Sequence, residues 1–157
     1  MTAGKPHEPD TSHLKAHAGF WLRFVSNHVS HAFARKLEAS GVTVAEWVVL
    51  REMDGKEKLA PSAVAAETGL TRGAISKLVD RLLAKNLLTR EEDGDDRRYQ
   101  VIALTERGRQ LVPKLAAKAD ENDGEFFSSL SKSEREALVA TLKKLVLANG
   151  LRKVPVD

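Results

Sequence analysis

The chain has 157 residues, with 25 lysines and arginines against 22 acids and no cysteine. That length is one domain's worth, enough to bury a core, and a net charge of +3 excludes a basic tail that coats nucleic acid. Without cysteine there is neither a disulfide nor a thiolate sensor, and no apolar run approaches the ~20 residues that span a bilayer, so the cytoplasm is the expected location.

Residues 1–11 open with MTAGKPHEPD, polar and holding two prolines, which reads as a disordered start and not as a signal peptide. Residues 12–38 lack proline and carry an apolar stripe at Leu14, Ala18, Leu22, Val25, Val29 and Phe33, consistent with a helix of roughly 40 Å. Beside that stripe a second face gathers His17, Phe20, Trp21, Phe24, His28 and His31 within roughly 60° of one line. Such a face suits a pocket for an aromatic or anionic effector, while packing in a dimer interface is the competing reading. His13 with His17 and His28 with His31 have ligand-compatible spacing. The pairs lie ~16 Å apart, too far to share an ion, so no metal is expected unless a second copy brings them together.

Thr43-Val44-Ala45-Glu46 is a capping box that starts the next helix, with Trp47, Val48, Leu50 and Met53 as its apolar content, and Gly55 closes it. Pro61 fits the first turn of a short helix that ends before Gly69, where a left-handed residue is needed. Ala65 is small enough for another helix to cross, and Thr71 can cap that helix with its hydroxyl. At 100° per residue, Ile75, Leu78, Val79 and Leu82 share one side of residues 72–85, and Gly73, Ser76, Lys77 and Asp80 share the other, with Arg72 and Arg81 at the flanks. Small residues at 73, 74 and 76 permit close approach to a groove, and the basic side chains can reach phosphates or base edges. From Thr71 to Arg90 five basic residues stand against one acid, a basic stripe suited to DNA. An ordinary solvated helix face is the alternative.

Leu87–Arg90 and Tyr99–Leu104 read as two strands joined by Glu92–Arg97, where Asp-Gly is a hairpin signal. The connection carries Arg97 and Arg98 beside Asp95 and Asp96, and arginines so placed can enter a narrow minor groove; a solvated charged turn competes. Thr105 can cap a helix running toward residue 121 that Pro113 should interrupt and bend. Ser131-Lys132-Ser133-Glu134 is another capping box, opening a final helix with Leu138, Leu142, Leu145 and Val146 on one face. The order of elements is mainly α with a small β-hairpin wing, a winged helix-turn-helix lobe at about 43–104. Helices at about 12–38 and 105–149 are long for such a module, so part of their apolar surface is expected to pack against a second copy. Residues 12–149 then form one domain and 150–157 a tail.

The run from Asp96 to Gly108, DRRYQVIALTERG, resembles the wing of MarR-type transcriptional regulators, whose pattern is Asp-x-Arg, a strand, then Leu-Thr-x-x-Gly. Gly69 to Leu82, GLTRGAISKLVDRL, is similar to the same family's recognition helix, and the resemblance extends from about residue 12 to 149. It implies that Thr71, Arg72, Gly73, Ser76, Lys77 and Arg81 face the major groove. Arg98 becomes the wing-tip arginine, next to Arg97, with Asp96 as its orienting partner. It further implies a homodimer on a pseudo-palindromic operator in double-stranded DNA, most often a repressor relieved by a small ligand. The absence of cysteine departs from the family's peroxide-sensing branch.

No nucleophile elbow, phosphate-binding glycine loop or metal-ligand cluster is present, so an enzyme is not expected and no cofactor is implied. Two rivals remain at this stage: a winged helix that binds protein instead of DNA, against which the paired arginines argue, and a metal-responsive regulator using the first-helix histidines.

Overall fold

A computed structural model describes residues 11–94 and 96–152. Its helices are α1 (Ala18–Leu37), α2 (Val44–Met53), α3 (Pro61–Thr68), α4 (Arg72–Ala84), α5 (Glu106–Phe126) and α6 (Lys132–Ala148), with strands β1 (Leu88–Asp93) and β2 (Asp96–Leu104) between α4 and α5. Most starts follow from local chemistry. The hydroxyls of Thr43, Thr71, Thr105 and Ser131 accept the amides of Glu46, Ala74, Gly108 and Glu134 at 3.0–3.2 Å, pairing donors that a helix start otherwise leaves open. Pro61 opens α3, and Gly69 ends it at φ 74°.

The expected helix over 12–38 is shorter. A 3-10 turn spans Leu14–Ala16, the chain becomes extended at His17 (φ −86°, ψ 127°), and only then does α1 begin. The Trp21 indole N–H donates to the Lys15 carbonyl at 2.9 Å, tying this turn back across the break. Along the expected stripe only Phe33 is buried, and Leu14, Leu22 and Val25 are exposed, because nothing among the described residues covers the first half of α1. In α2 the buried apolar side chains are Val49, Leu50 and Met53. Trp47 is partly buried, meeting Phe33 edge-on at 6.2 Å, and Val48 is likewise only partly covered.

The strands run further than expected. The expected loop from Glu92 to Arg97 is largely strand among the described residues, with a turn at Gly94 and a register jump between Glu92 and Asp93. Glu91 and Glu92 are exposed, and backbone pairing is indifferent to exposed side chains. Leu59 adds a short antiparallel bridge to Ile102, with both N–H···O bonds made at 2.8 and 3.0 Å, so the wing has a third edge that the sequence reading missed. Helix α5 continues through Pro113 to Phe126. Pro113 faces solvent while Val112 and Leu115 beside it are buried, and that packing holds the helix across the missing donor.

One apolar core joins Phe33 and Leu37 of α1, the inner faces of α2, α3 and α4, the hairpin base at Leu87, Leu88, Ile102 and Leu104, and Val112 and Leu115 of α5. Helix α6 contributes nothing to it, and Val139, Leu142, Leu145, Val146 and Leu147 are exposed. The start of α6 depends on charge. The Ser131 N–H donates to Glu134 Oε2 at 2.7 Å, and this bond, with one from the Ser131 side chain, holds the Glu134 carboxyl below its ordinary value. A carboxyl lowered on folding stabilises above its unfolded pKa and loses that contribution as pH falls through the folded value. The Ser131 amide resonance is therefore expected to titrate below the usual glutamate range, and Glu134→Gln should abolish that titration; an amide that never titrates in the parent contradicts the box. Lys36 is bonded to Glu125 at 2.7 Å, and chiefly by that bond the ammonium is raised and the carboxyl lowered.

Candidate DNA-binding surface

Burial of Ile75, Leu78, Val79 and Leu82 fixes which side of α4 faces water. Arg72, Gly73, Ser76, Lys77 and Arg81 are all exposed on that side. Thr71 is partly buried and its oxygen is occupied as the cap, which leaves the hydroxyl proton to donate outward. A cβ-sized group on Gly73 would meet nothing within 4 Å, so the helix surface there is open to whatever approaches.

The basic stripe is narrower than the sequence suggests. Lys85 turns away from the exposed face and bonds the Gly41 carbonyl and Glu46 Oε2, both at 2.7 Å. Arg90 Nη2 pairs with Asp80 Oδ1 at 2.8 Å. The cations left on the outer side of α4 are Arg72, Lys77 and Arg81, because the two others found carboxylates that their neighbours in sequence do not supply. Between α4, the start of α3 and the wing lies a cleft of about 350 Å³ lined in part by Ser62, Arg72, Ser76, Asp80, Arg90 and Gln100. Ser62 and Gln100 were not anticipated; only the small residue after Pro61 hinted at an open helix start.

The backbone of Asp96, Arg97 and Arg98 runs in β2, so these residues belong to a strand and not to the loop in which the sequence reading put them. The orienting carboxylate and the wing-tip arginine concern side chains that lie outside the described residues.

The aromatic face of α1 is reproduced in part. Phe20 stacks on Phe24 at 5.9 Å, Trp21 meets Phe20 edge-on at 5.1 Å, and Phe24 stacks on His28 at 4.5 Å. His17 does not join, since the break places it at the cap, where its Nε2 lies 3.1 Å from Ser12 Oγ. His31 is exposed one turn beyond. Among the described residues these rings form a ridge on the surface, with Trp21 and Phe24 exposed. The cleft between α1 and α5, about 450 Å³, is lined instead by Ala32, Arg35, Lys36, Asn122, Glu125 and Phe126. Among the described residues no three histidine, aspartate or glutamate side chains gather as a metal site, and no helix is long and apolar enough to cross a membrane.

Known proteins share this arrangement. The MarR family profile matches residues 40–98, the stretch from the end of the first helical region into the second strand of the wing. The chain is 30% identical over 148 residues to the regulatory protein assigned to the hcr operon of Thauera aromatica, covering 90% of this chain and 89% of that one. Among solved structures it is similar to BpsR of Bordetella bronchiseptica, described by the regulation of its DNA binding by 6-hydroxynicotinic acid, with TM-score 0.80, 27% identity and coverage of 87% and 99%. It is also similar to MepR of S. aureus in complex with DNA, with TM-score 0.78, 26% identity and coverage of 84% and 98%. The relatives are regulators and not enzymes, and the likeness runs through both the helical scaffold and the groove-facing lobe: this chain belongs to the MarR family of winged helix-turn-helix transcriptional regulators.

Proposed function

We propose that the chain is a cytoplasmic homodimeric repressor that reads a pseudo-palindromic operator in double-stranded DNA and is released by a small aromatic or anionic molecule. The observation that carries the DNA reading is the outer side of α4, where Gly73 and Ser76 leave room and, among the described residues, Arg72, Lys77 and Arg81 are outside the ion pairs that occupy Lys85 and Arg90. With Thr71 these residues would enter the major groove, while Arg97 and Arg98 of the wing, with Asp96 as the orienting partner, would address the minor groove. Dimerisation is supported by the apolar surface that one chain leaves in water: Trp21, Leu22, Phe24 and Val25 on α1 and Val139, Leu142, Leu145 and Val146 on α6. Patches of this kind mark association sites. Two-fold symmetry would then set two α4 helices about one turn of DNA apart, ~34 Å.

The effector reading draws on BpsR, whose DNA binding is described as regulated by an aromatic acid. In this chain the ridge of Phe20, Trp21, Phe24 and His28, flanked by His17 and His31, would become a pocket wall once a second copy covers it. Sizing of the purified chain together with footprinting on DNA flanking its own gene tests the proposal. A dimer protecting two half-sites, released by pyridine or benzoic carboxylic acids that also raise the melting temperature, supports it; a monomer, or protection that no such acid disturbs, contradicts the corresponding part. Arg98→Ala is expected to weaken binding by about 1–3 kcal/mol, chiefly at A·T-rich flanks, and equal affinity in a direct titration would remove the wing from the account.

A further inference from the structure

Glu46 is 1% exposed, yet it is a carboxylate. One oxygen, Oε2, accepts the Thr43 N–H at 3.0 Å and the Lys85 ammonium at 2.7 Å. Lys85 also donates to the Gly41 carbonyl at 2.7 Å, in the left-handed turn (φ 66°) that follows the end of α1. Lys85 caps the C-terminal end of the groove-facing helix, its own N–H bonded to Arg81 O at 3.0 Å and its carbonyl approached by Arg107 Nη1 of α5 at 3.4 Å. The C-terminal end of α4 is thus held by directed polar bonds to the junction between the scaffold helix and α2.

Apart from the exposed Asp80–Arg90 pair to β1, the rest of α4 is held differently. Ile75, Leu78, Val79 and Leu82 rest on an apolar core, and hydrophobic contact is non-directional, so it fixes burial better than it fixes angle. Hydrogen bonds lose strength steeply with misalignment. Glu46 is buried and Lys85 only in part, and an ion pair with a buried carboxylate is a poor source of net stability against an apolar replacement, which leaves open what this one is for. Geometry supplies an answer. The helix is ~20 Å long, so a tilt of about 5° at Lys85 would displace its groove-facing start by ~1.7 Å. Two-fold symmetry doubles that to ~3.4 Å, the rise of one base pair.

We infer that Glu46 and Lys85 are a positioning pair that fixes the tilt of α4 against the scaffold, and with it the half-site spacing that the dimer accepts. The inference rests on the reading of this chain as a dimer on a two-part operator. Neither residue touches DNA; each acts through α4.

The test uses the full chain, its Glu46→Gln and Lys85→Met variants, and the double variant. Each is titrated against the operator, against operators with one base pair added or removed between half-sites, and against unrelated DNA, with helical signal recorded on the same samples. The expected result is a roughly two- to thirtyfold loss on the native operator, unrelated DNA bound as before, and a spacing preference flattened toward unity in both single variants without a further loss in the double. Unchanged spacing preference in folded variants overturns the inference. So does parallel loss of operator binding, unrelated-DNA binding and helical signal, which would assign the pair to fold stability alone. If the parent chain itself shows no spacing preference, the dimeric reading fails and not this pair.

Discussion

Gly108→Ala is expected to destabilise the fold by about 1–3 kcal/mol, lowering the melting temperature by roughly 3–10 °C. Alanine would normally gain up to ~1 kcal/mol in a helix, so the sign is informative. A Cβ at this position would lie 2.3 Å from the Leu87 carbonyl oxygen and 3.2 Å from Leu104 Cδ2. That carbonyl cannot move freely. It accepts the Thr105 N–H at 3.1 Å, while the Thr105 hydroxyl donates to Asn86 O at 2.8 Å and accepts the Gly108 N–H at 3.0 Å. The family pattern Leu-Thr-x-x-Gly has a physical content here: threonine stitches the wing to α5, and glycine lets the two backbones touch. Gly124→Ala is the control, since it meets nothing within 4 Å and should stabilise by roughly 0.5–1 kcal/mol. Thermal or denaturant unfolding of the two variants decides the matter; equal shifts would show that the close approach at Leu87 is not a constraint.

Ser76→Leu should leave the fold intact and cost roughly a hundredfold or more in operator affinity, about 3 kcal/mol. Ser76 is exposed on the outer side of α4, and leucine is a better helix former than serine, so no folding defect is expected. On a helix seated in a groove, however, a branched apolar side chain would occupy the space in which base edges approach and would strand their polar atoms without partners. An unchanged circular dichroism spectrum with lost binding is the expected outcome. Retained affinity would mean that the groove-facing side of α4 has been assigned wrongly.

Local signals made most of the fold legible. Thr43, Thr71, Thr105 and Ser131 each announced a helix start because capping depends on residues within three positions, and Gly69 and Pro61 did the same for the ends of α3. What failed depends on distant partners. The acid-rich stretch 92–97 looked like loop by composition, but a strand is defined by what pairs across from it, and Leu59 was invisible as a bridge partner for the same reason. Lys85 and Arg90 counted as free cations in the sequence because their carboxylates, Glu46 and Asp80, are chosen by the fold. The break at His17 escaped the periodicity of 12–38, since an apolar stripe continues across it.

For the candidate site, Arg72, Gly73, Ser76, Lys77 and Arg81 could be placed from helical periodicity alone, and the structure keeps them on one exposed side. Ser62 and Gln100 required the tertiary arrangement that brings α3 and the wing beside α4. The aromatic face of α1 was recognised as unusual, but its surroundings cannot be read from one helix, because they are supplied by whatever covers it.

The central claim is that the outer side of α4 reads DNA. Its most direct test is the salt dependence of binding to DNA flanking the chain's own gene, measured for the parent and for the triple variant Arg72→Ala, Lys77→Ala, Arg81→Ala. The account predicts that affinity in the parent falls linearly on logarithmic axes as salt rises, and that the triple variant binds far more weakly with a slope reduced by roughly one to three. Equal affinity and equal slope in the two proteins would contradict it.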